Sequence, residues 1–235
     1  MAALDARRPT RDIDFAARAV DNSVEQISAV VRRIAGISLD DGVEFDSDNA
    51  TAEVVREQDD YSGIRVTLRG TLSRAVIRFH VDVNVGDPIW PEPQQVSLPR
   101  LLEGVLIVRG YPLEMVLAEK IVTAIARGTA NTRWRDFVDI YALVQRHAID
   151  GATLRQSLFR VAQYRDVTLV SLKSVLTDYA EIAQQRWFAW LRKHRIESIP
   201  NEFSTVLDLV GLFADPIILD KTFVGSWDPA RRLWG

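Results

Sequence analysis

The sequence contains no cysteine. That removes disulfides, thiolate zinc sites and cysteine nucleophiles together, and it fits a cytoplasmic protein. Histidine is scarce: His80, His147 and His194 are the whole complement, too few and too scattered for a histidine-built transition-metal site. Any metal must be held by carboxylates, which favours a hard cation such as Mg2+, with Mn2+ able to take the same oxygen ligands. No apolar run approaches the length of about eighteen residues that a membrane span requires. The first residues, MAALDARRPTRD, lack the apolar stretch of a secretory signal. An excess of positive charge is also missing, because 29 basic residues face 32 acidic ones. The chain therefore cannot bind nucleic acid by bulk attraction alone. Local clusters remain at Arg7, Arg8 and Arg11, at Arg127, Arg133 and Arg135, and at Arg192 to Arg195. Each reads equally well as solvated surface.

The 235 residues suffice for one domain or two, and the pattern changes character near residue 110. Before it, period-two alternation predicts strands at residues 12–15, 52–55, 63–69, 75–85 and 105–108, with one helix at 23–35. Residues 86–99 carry four prolines and read as a loop. After Pro112 the periodicity is helical, with helices expected at 112–126, 134–147, 153–163, 169–191 and 202–213 and a stop at Gly128. The expected class is α+β: a small mixed sheet in residues 1–110, then a helical half in 111–235 packed on it.

Nucleotidyl and phosphoryl transfer ask the protein for acidic side chains that hold one or two Mg2+ ions. Asp12 and Asp14 stand at i and i+2 of a strand and so share a face, where they could share a metal. A third acid lies in the strand 75–85. Its odd positions are apolar from Ile77 to Val85, while Arg78, His80, Asp82 and Asn84 form the opposite face. Asp82 is the candidate. A turn or a solvated strand face would account for the same residues.

In the helix after Pro112, Leu113, Val116, Leu117, Lys120, Ile121 and Ala124 share one face, so Lys120 interrupts an apolar stripe. It reads either as a snorkelling lysine or as a fixed cation for phosphates. In the next helix Asp136 and Asp139 are neighbours at i,i+3. An Arg135–Asp139 ion pair would explain them structurally; near Lys120 they would instead orient the lysine or contact a nucleotide.

The succession Arg8-x-Thr10-x-Asp12-x-Asp14-Phe15, Asp82, Tyr111-Pro-Leu-Glu114 through Lys120-Ile121, and Arg133-x-Arg135-Asp136-Phe-x-Asp139-Ile-Tyr141 resembles the AbiEii/AbiGii family of nucleotidyltransferase toxins. The resemblance spans residues 8–146. It implies a DNA polymerase β-like core, with Asp12, Asp14 and Asp82 as catalytic metal ligands. Lys120 matches the lysine of the third motif and Asp139 the acid of the fourth. Thr10, Arg11, Lys120, Arg133 and Asp136 are the expected nucleotide contacts. The implied reaction transfers a nucleoside monophosphate from an NTP, with Mg2+, to an acceptor such as tRNA. The implied setting is a toxin–antitoxin or phage-defence system with an AbiEi-type antitoxin.

One departure bears on affinity. The family motif opens with Gly-Gly-Ser/Thr about ten residues before the acidic pair, where backbone N–H groups cradle the triphosphate. Counting back from Asp12 reaches Ala2 and Met1 without a glycine. The expectation is a chain that starts downstream of its native start, or a shortened copy, with weakened nucleotide affinity. Three readings follow: the transferase; a catalytically weak remnant that acts by binding its antitoxin; and an unrelated α+β domain, which would leave Lys120 on the surface.

Overall fold

Alternating side chains in residues 75–85 build the centre of the sheet that carries the acidic residues. The computed structural model describes residues 12–17, 20–57, 61–86, 88–100 and 103–235. The chain divides into two compact units between residues 87 and 88, ahead of the change in sequence pattern near residue 110.

The first unit runs β1 (Asp12–Ala17), α1 (Val24–Ala35), β2 (Val43–Phe45), β3 (Thr51–Glu57), β4 (Tyr61–Leu72) and β5 (Ala75–Val85). The sheet order is β1-β5-β4-β2, and β3 also pairs with β4. β1 is parallel to β5; the other pairs are antiparallel. The sheet is therefore mixed, as expected. Ile64, Val66, Leu68, Val81 and Val83 point from the sheet into one core, against Ile27, Val31 and Ala35 of α1. Ser23 caps α1 by accepting from the Gln26 N–H. Near the other end of α1, Arg32 reaches over to the carbonyls of Asp48 and Ala50 and ties the β2–β3 turn to the helix.

The second unit begins with a hairpin, β6 (Gln94–Pro99) against β7 (Val105–Gly110). Residues 94–99 were expected as loop. The prolines sit where a strand tolerates them, Pro99 at its last position and Pro88, Pro91 and Pro93 before it, so the ladder survives. Then come α2 (Leu113–Arg127), α3 (Trp134–Val144), β8 (Ile149–Asp150), α4 (Gly151–Tyr164), α5 (Leu172–Val175), α6 (Tyr179–His194), α7 (Phe203–Leu219), β9 (Ser226–Asp228) and β10 (Leu233–Trp234). Gly128 ends α2 at φ +49, as its position suggested.

Two helices depart from expectation. The segment 169–191 is split into α5 and α6 because Asp178 adopts a left-handed φ of +60; aspartate tolerates that region better than most residues. Buried Asp215 secures the short α5, accepting from Ser171 Oγ at 2.8 Å and the Leu172 N–H at 2.6 Å. α7 continues past Phe213 through Pro216. Burial of Phe213, Ala214 and Ile217 offsets the one hydrogen bond that proline removes.

β9, at the centre of a three-stranded sheet with β8 and β10, fixes Trp227. This side chain is fully buried, packs edge-on against Phe213 and donates Nε1–H to the Val144 carbonyl at 2.6 Å. Trp227→Ala is expected to lower unfolding free energy by about 3–5 kcal/mol. Phe159→Ala on the exposed side of α4 should change it by under about 0.5 kcal/mol. Urea unfolding of the two variants beside the parent checks both.

Candidate functional site

Each unit holds one of the predicted residue groups. In the first, the parallel pairing of β1 and β5 sets Asp12 opposite His80 and Asp14 opposite Asp82. The antiparallel pairing of β5 and β4 sets Asp82 opposite Arg65 and His80 opposite Thr67, and β3 adds Glu53 opposite Arg65. Two polar rows therefore cross one face: Glu53, Arg65, Asp82 and Asp14, and beside them Thr51, Thr67, His80 and Asp12. The three predicted carboxylates do share this face. Asp14 is exposed and Asp12 half-buried. Thr10 and Arg11, the other predicted members, lie outside the described residues.

Asp82 is already engaged. Arg65 donates Nε–H to one carboxylate oxygen at 2.7 Å and Nη2–H to the other at 2.6 Å, a bidentate fork. The hydrogen bonds to Asp82 raise the guanidinium above its ordinary range against the opposing effect of burial, and the charges of Asp82, Asp12 and Glu53 add to them. Beside it, Thr67 Oγ1 and His80 Nδ1 stand 2.9 Å apart in a hydrogen bond. Among the described residues no three histidines or acids are gathered closely enough to hold a metal ion. The all-oxygen donors of Asp12 and Asp14 fit a hard cation; Asp82 could join them as ligand only beside or after its arginine. Arg65 was missed in the sequence, although alternation in residues 63–69 puts it on the polar side with Thr67.

In the second unit, Lys120 of α2 is mostly buried, its side chain 16% exposed, with the Asp136 and Asp139 carboxylates each 2.9 Å from Nζ. Arg133 donates Nε–H to the second oxygen of Asp136 at 2.7 Å. A surface lysine, expected for an unrelated domain, is not what the fold makes. Burial alone would push Lys120 down, but the charges and hydrogen bonds of Asp136 and Asp139 outweigh it and raise the ammonium. Burial likewise pushes Asp136 up, and Lys120 and Arg133 outweigh it and hold the carboxyl below its ordinary value. Arg135, the alternative partner suggested for Asp139, is exposed.

Asn131, also missed, orders the turn before α3. It is almost fully buried, its Oδ1 accepts from the Arg133 N–H at 2.7 Å, and its carbonyl accepts from Tyr179. Burial pushes the Tyr179 phenol up to about 12, so it remains a donor. The basic cluster Arg192 to Arg195 lies exposed at the end of α6.

The sign of the pH dependence follows. A carboxyl depressed in the folded state stabilises above the ordinary carboxylate range, and that contribution is lost as pH falls through its folded value. The raised Lys120 contributes below the ordinary lysine range and is lost only as pH rises through its folded value. Lys120→Met leaves two buried carboxylates without their ammonium and should cost about 3–5 kcal/mol at pH 7. Lowering the pH to 5 should narrow the gap to the parent protein, since protonation relieves the variant. Urea midpoints at the two pH values measure this; an unchanged gap would show that the pair carries no charge coupling.

The family model described as "Nucleotidyl transferase AbiEii toxin, Type IV TA system" matches residues 1–209. No curated protein matches the chain. Among solved structures, JHP933 from Helicobacter pylori aligns over 93% of this chain and 81% of its own, with 15% identity and a TM-score of 0.48. A second H. pylori protein, provisionally named a nucleotidyltransferase, aligns over 93% and 84%, with 15% identity and a TM-score of 0.47. No helix among the described residues is long and apolar enough to cross a membrane. With the family model covering most of its length, the chain belongs to the AbiEii family of nucleotidyl transferase toxins.

Proposed function

We propose that the chain transfers a nucleoside monophosphate from an NTP to an acceptor hydroxyl, with Mg2+ as resident metal and the end of a tRNA as acceptor. The observation that carries the reading is the register of β1 on β5. It sets the Asp12/Asp14 pair, already on one face by strand geometry, beside a third carboxylate, Asp82. Asp12 and Asp14 would hold the cation, and Mn2+ suits the same oxygen donors. When bound, the cation neutralises triphosphate charge and polarises the acceptor oxygen.

In the reaction, the acceptor oxygen bonds to the α-phosphorus and the bond to the pyrophosphate leaving group breaks. The hydroxyl proton passes to a carboxylate of the acidic face or to water. Asp82 serves there as ligand or as base. Lys120, in the second unit, is the proposed phosphate-binding lysine of the family's third motif. An ammonium carries three N–H donors, and Asp136 and Asp139 engage it from two sides, so these acids orient the lysine. Arg133 is the auxiliary cation. The regulating partner is an AbiEi-type antitoxin, and a toxin–antitoxin or phage-defence role in the cytoplasm follows from that pairing.

One observation favours a second reading. Asp82 already has a full counter-charge in Arg65, which suits a chain that transfers weakly and acts by binding its antitoxin. Thermal unfolding of the full chain with each of the four NTPs, with and without Mg2+, separates the two. Saturation to about a hundred times Kd stabilises by about 2.7 kcal/mol, a rise of roughly 5–10 °C at this size. Transfer predicts that rise for at least one NTP, dependent on Mg2+ and abolished by Asp12→Ala and Asp14→Ala. No shift with any NTP, from a folded protein, supports the second reading.

A further inference from the structure

Arg65 has no assigned part in the transfer chemistry, yet its fork with Asp82 sits in the row that the chemistry uses. Across the sheet that row reads Glu53, Arg65, Asp82, Asp14, with Asp12 one row away. Directly opposed like charges on neighbouring strands are destabilising, and Asp14 stands directly opposite Asp82. Arg65 is the cation in the row, and it engages both oxygens of the central acid.

We propose that Arg65 is the resident counter-ion of the acidic face: it holds Asp82 while the divalent cation is absent, and cation binding at Asp12 and Asp14 competes with its pairing. The inference rests on the reading of Asp12 and Asp14 as metal ligands.

Three features support competition over a simple brace. The fork uses one lone pair on each Asp82 oxygen, so the carboxylate is oriented toward Arg65 on one neighbouring strand while Asp14 stands on the other. The side chains of Arg65 and Asp82 are 31% and 20% exposed, so the pair is accessible to solvent and its replacement requires no unfolding. The field of Asp12 and Glu53 also acts on the guanidinium. A cation placed on Asp12 and Asp14 would remove part of that field and repel the arginine directly.

The test is a Mg2+ titration of the full-length protein, followed by melting temperature, with Mn2+ binding by water-proton relaxation as a second readout. Arg65→Gln should melt lower than the parent in EDTA, gain more from Mg2+, and reach its midpoint at a roughly tenfold lower Mg2+ concentration, within the usual range of coupling between neighbouring charged sites. Arg65→Lys keeps the charge and loses the fork, so its midpoint should fall between; it carries the test if Arg65→Gln does not fold in EDTA. An unchanged or higher Mg2+ midpoint in both variants, with Asp12→Ala abolishing the parent's response, would overturn the counter-ion role and leave the metal reading standing. No response to Mg2+ or Mn2+ in any of the proteins would overturn both.

Discussion

A strand must send consecutive side chains to opposite faces, and in the first unit that constraint has to hold across the strands of one five-stranded sheet. β5 meets it between a parallel neighbour and an antiparallel one. Val81 and Val83 enter the core with Val66 and Ile64 of β4, so His80 and Asp82 are forced onto the other face with Thr67 and Arg65. A slip of one residue between β5 and β4 would bury Asp82 and expose the valines together. The position of the acidic row is thus a by-product of core burial. Ile27, Val31 and Ala35 of α1 fix it by covering the apolar side.

The second unit handles charge differently. Its polar groups are not on an open sheet face but inside a helical core, where burial opposes ionisation. Lys120 remains charged because two carboxylates converge on it, and Asp136 remains charged because Lys120 and Arg133 both serve it. Such a cluster makes the crossing of α2 and α3 specific: rotation of either helix by one position would leave an uncompensated charge in an apolar interior. Asn131 and Tyr179 extend the same logic to the turn that delivers Arg133.

Much of this could be read from residue order, and the failures have physical causes. Alternation in 75–85 marked Asp82 as facing away from the core, and the break in the α2 stripe marked Lys120 as unusual. Arg65 was passed over because its fork with Asp82 depends on β4–β5 register, which alternation does not specify. The convergence of Asp136 and Asp139 on Lys120 could be suggested by helix periodicity but not separated from an Arg135 pair without the crossing of two helices. Among the elements, the left-handed Asp178 split one expected helix because apolar spacing continues on both sides of it. The hairpin strand 94–99 was hidden by its prolines. Trp227 lay in a tail with no periodicity of its own; its burial comes from pairing with β8 and packing against Phe213 and Trp234.

The two cations of these clusters differ in what can move them. Releasing Lys120 would strand two buried carboxylates, a penalty of about 3–5 kcal/mol for a broken buried pair. Its place is therefore set by folding. Arg65 faces one bidentate acid on a half-open surface, where ion pairs are screened and contribute much less. A doubly charged ion arriving at neighbouring carboxylates supplies twice the charge at shorter range, enough to compete without disturbing the core beneath. On the proposed reading of Asp12 and Asp14 as metal ligands, the same sheet row would exchange Arg65 for a metal ion. On that proposal, the residue that sets how readily the row takes up a cation is an arginine outside the family's motif.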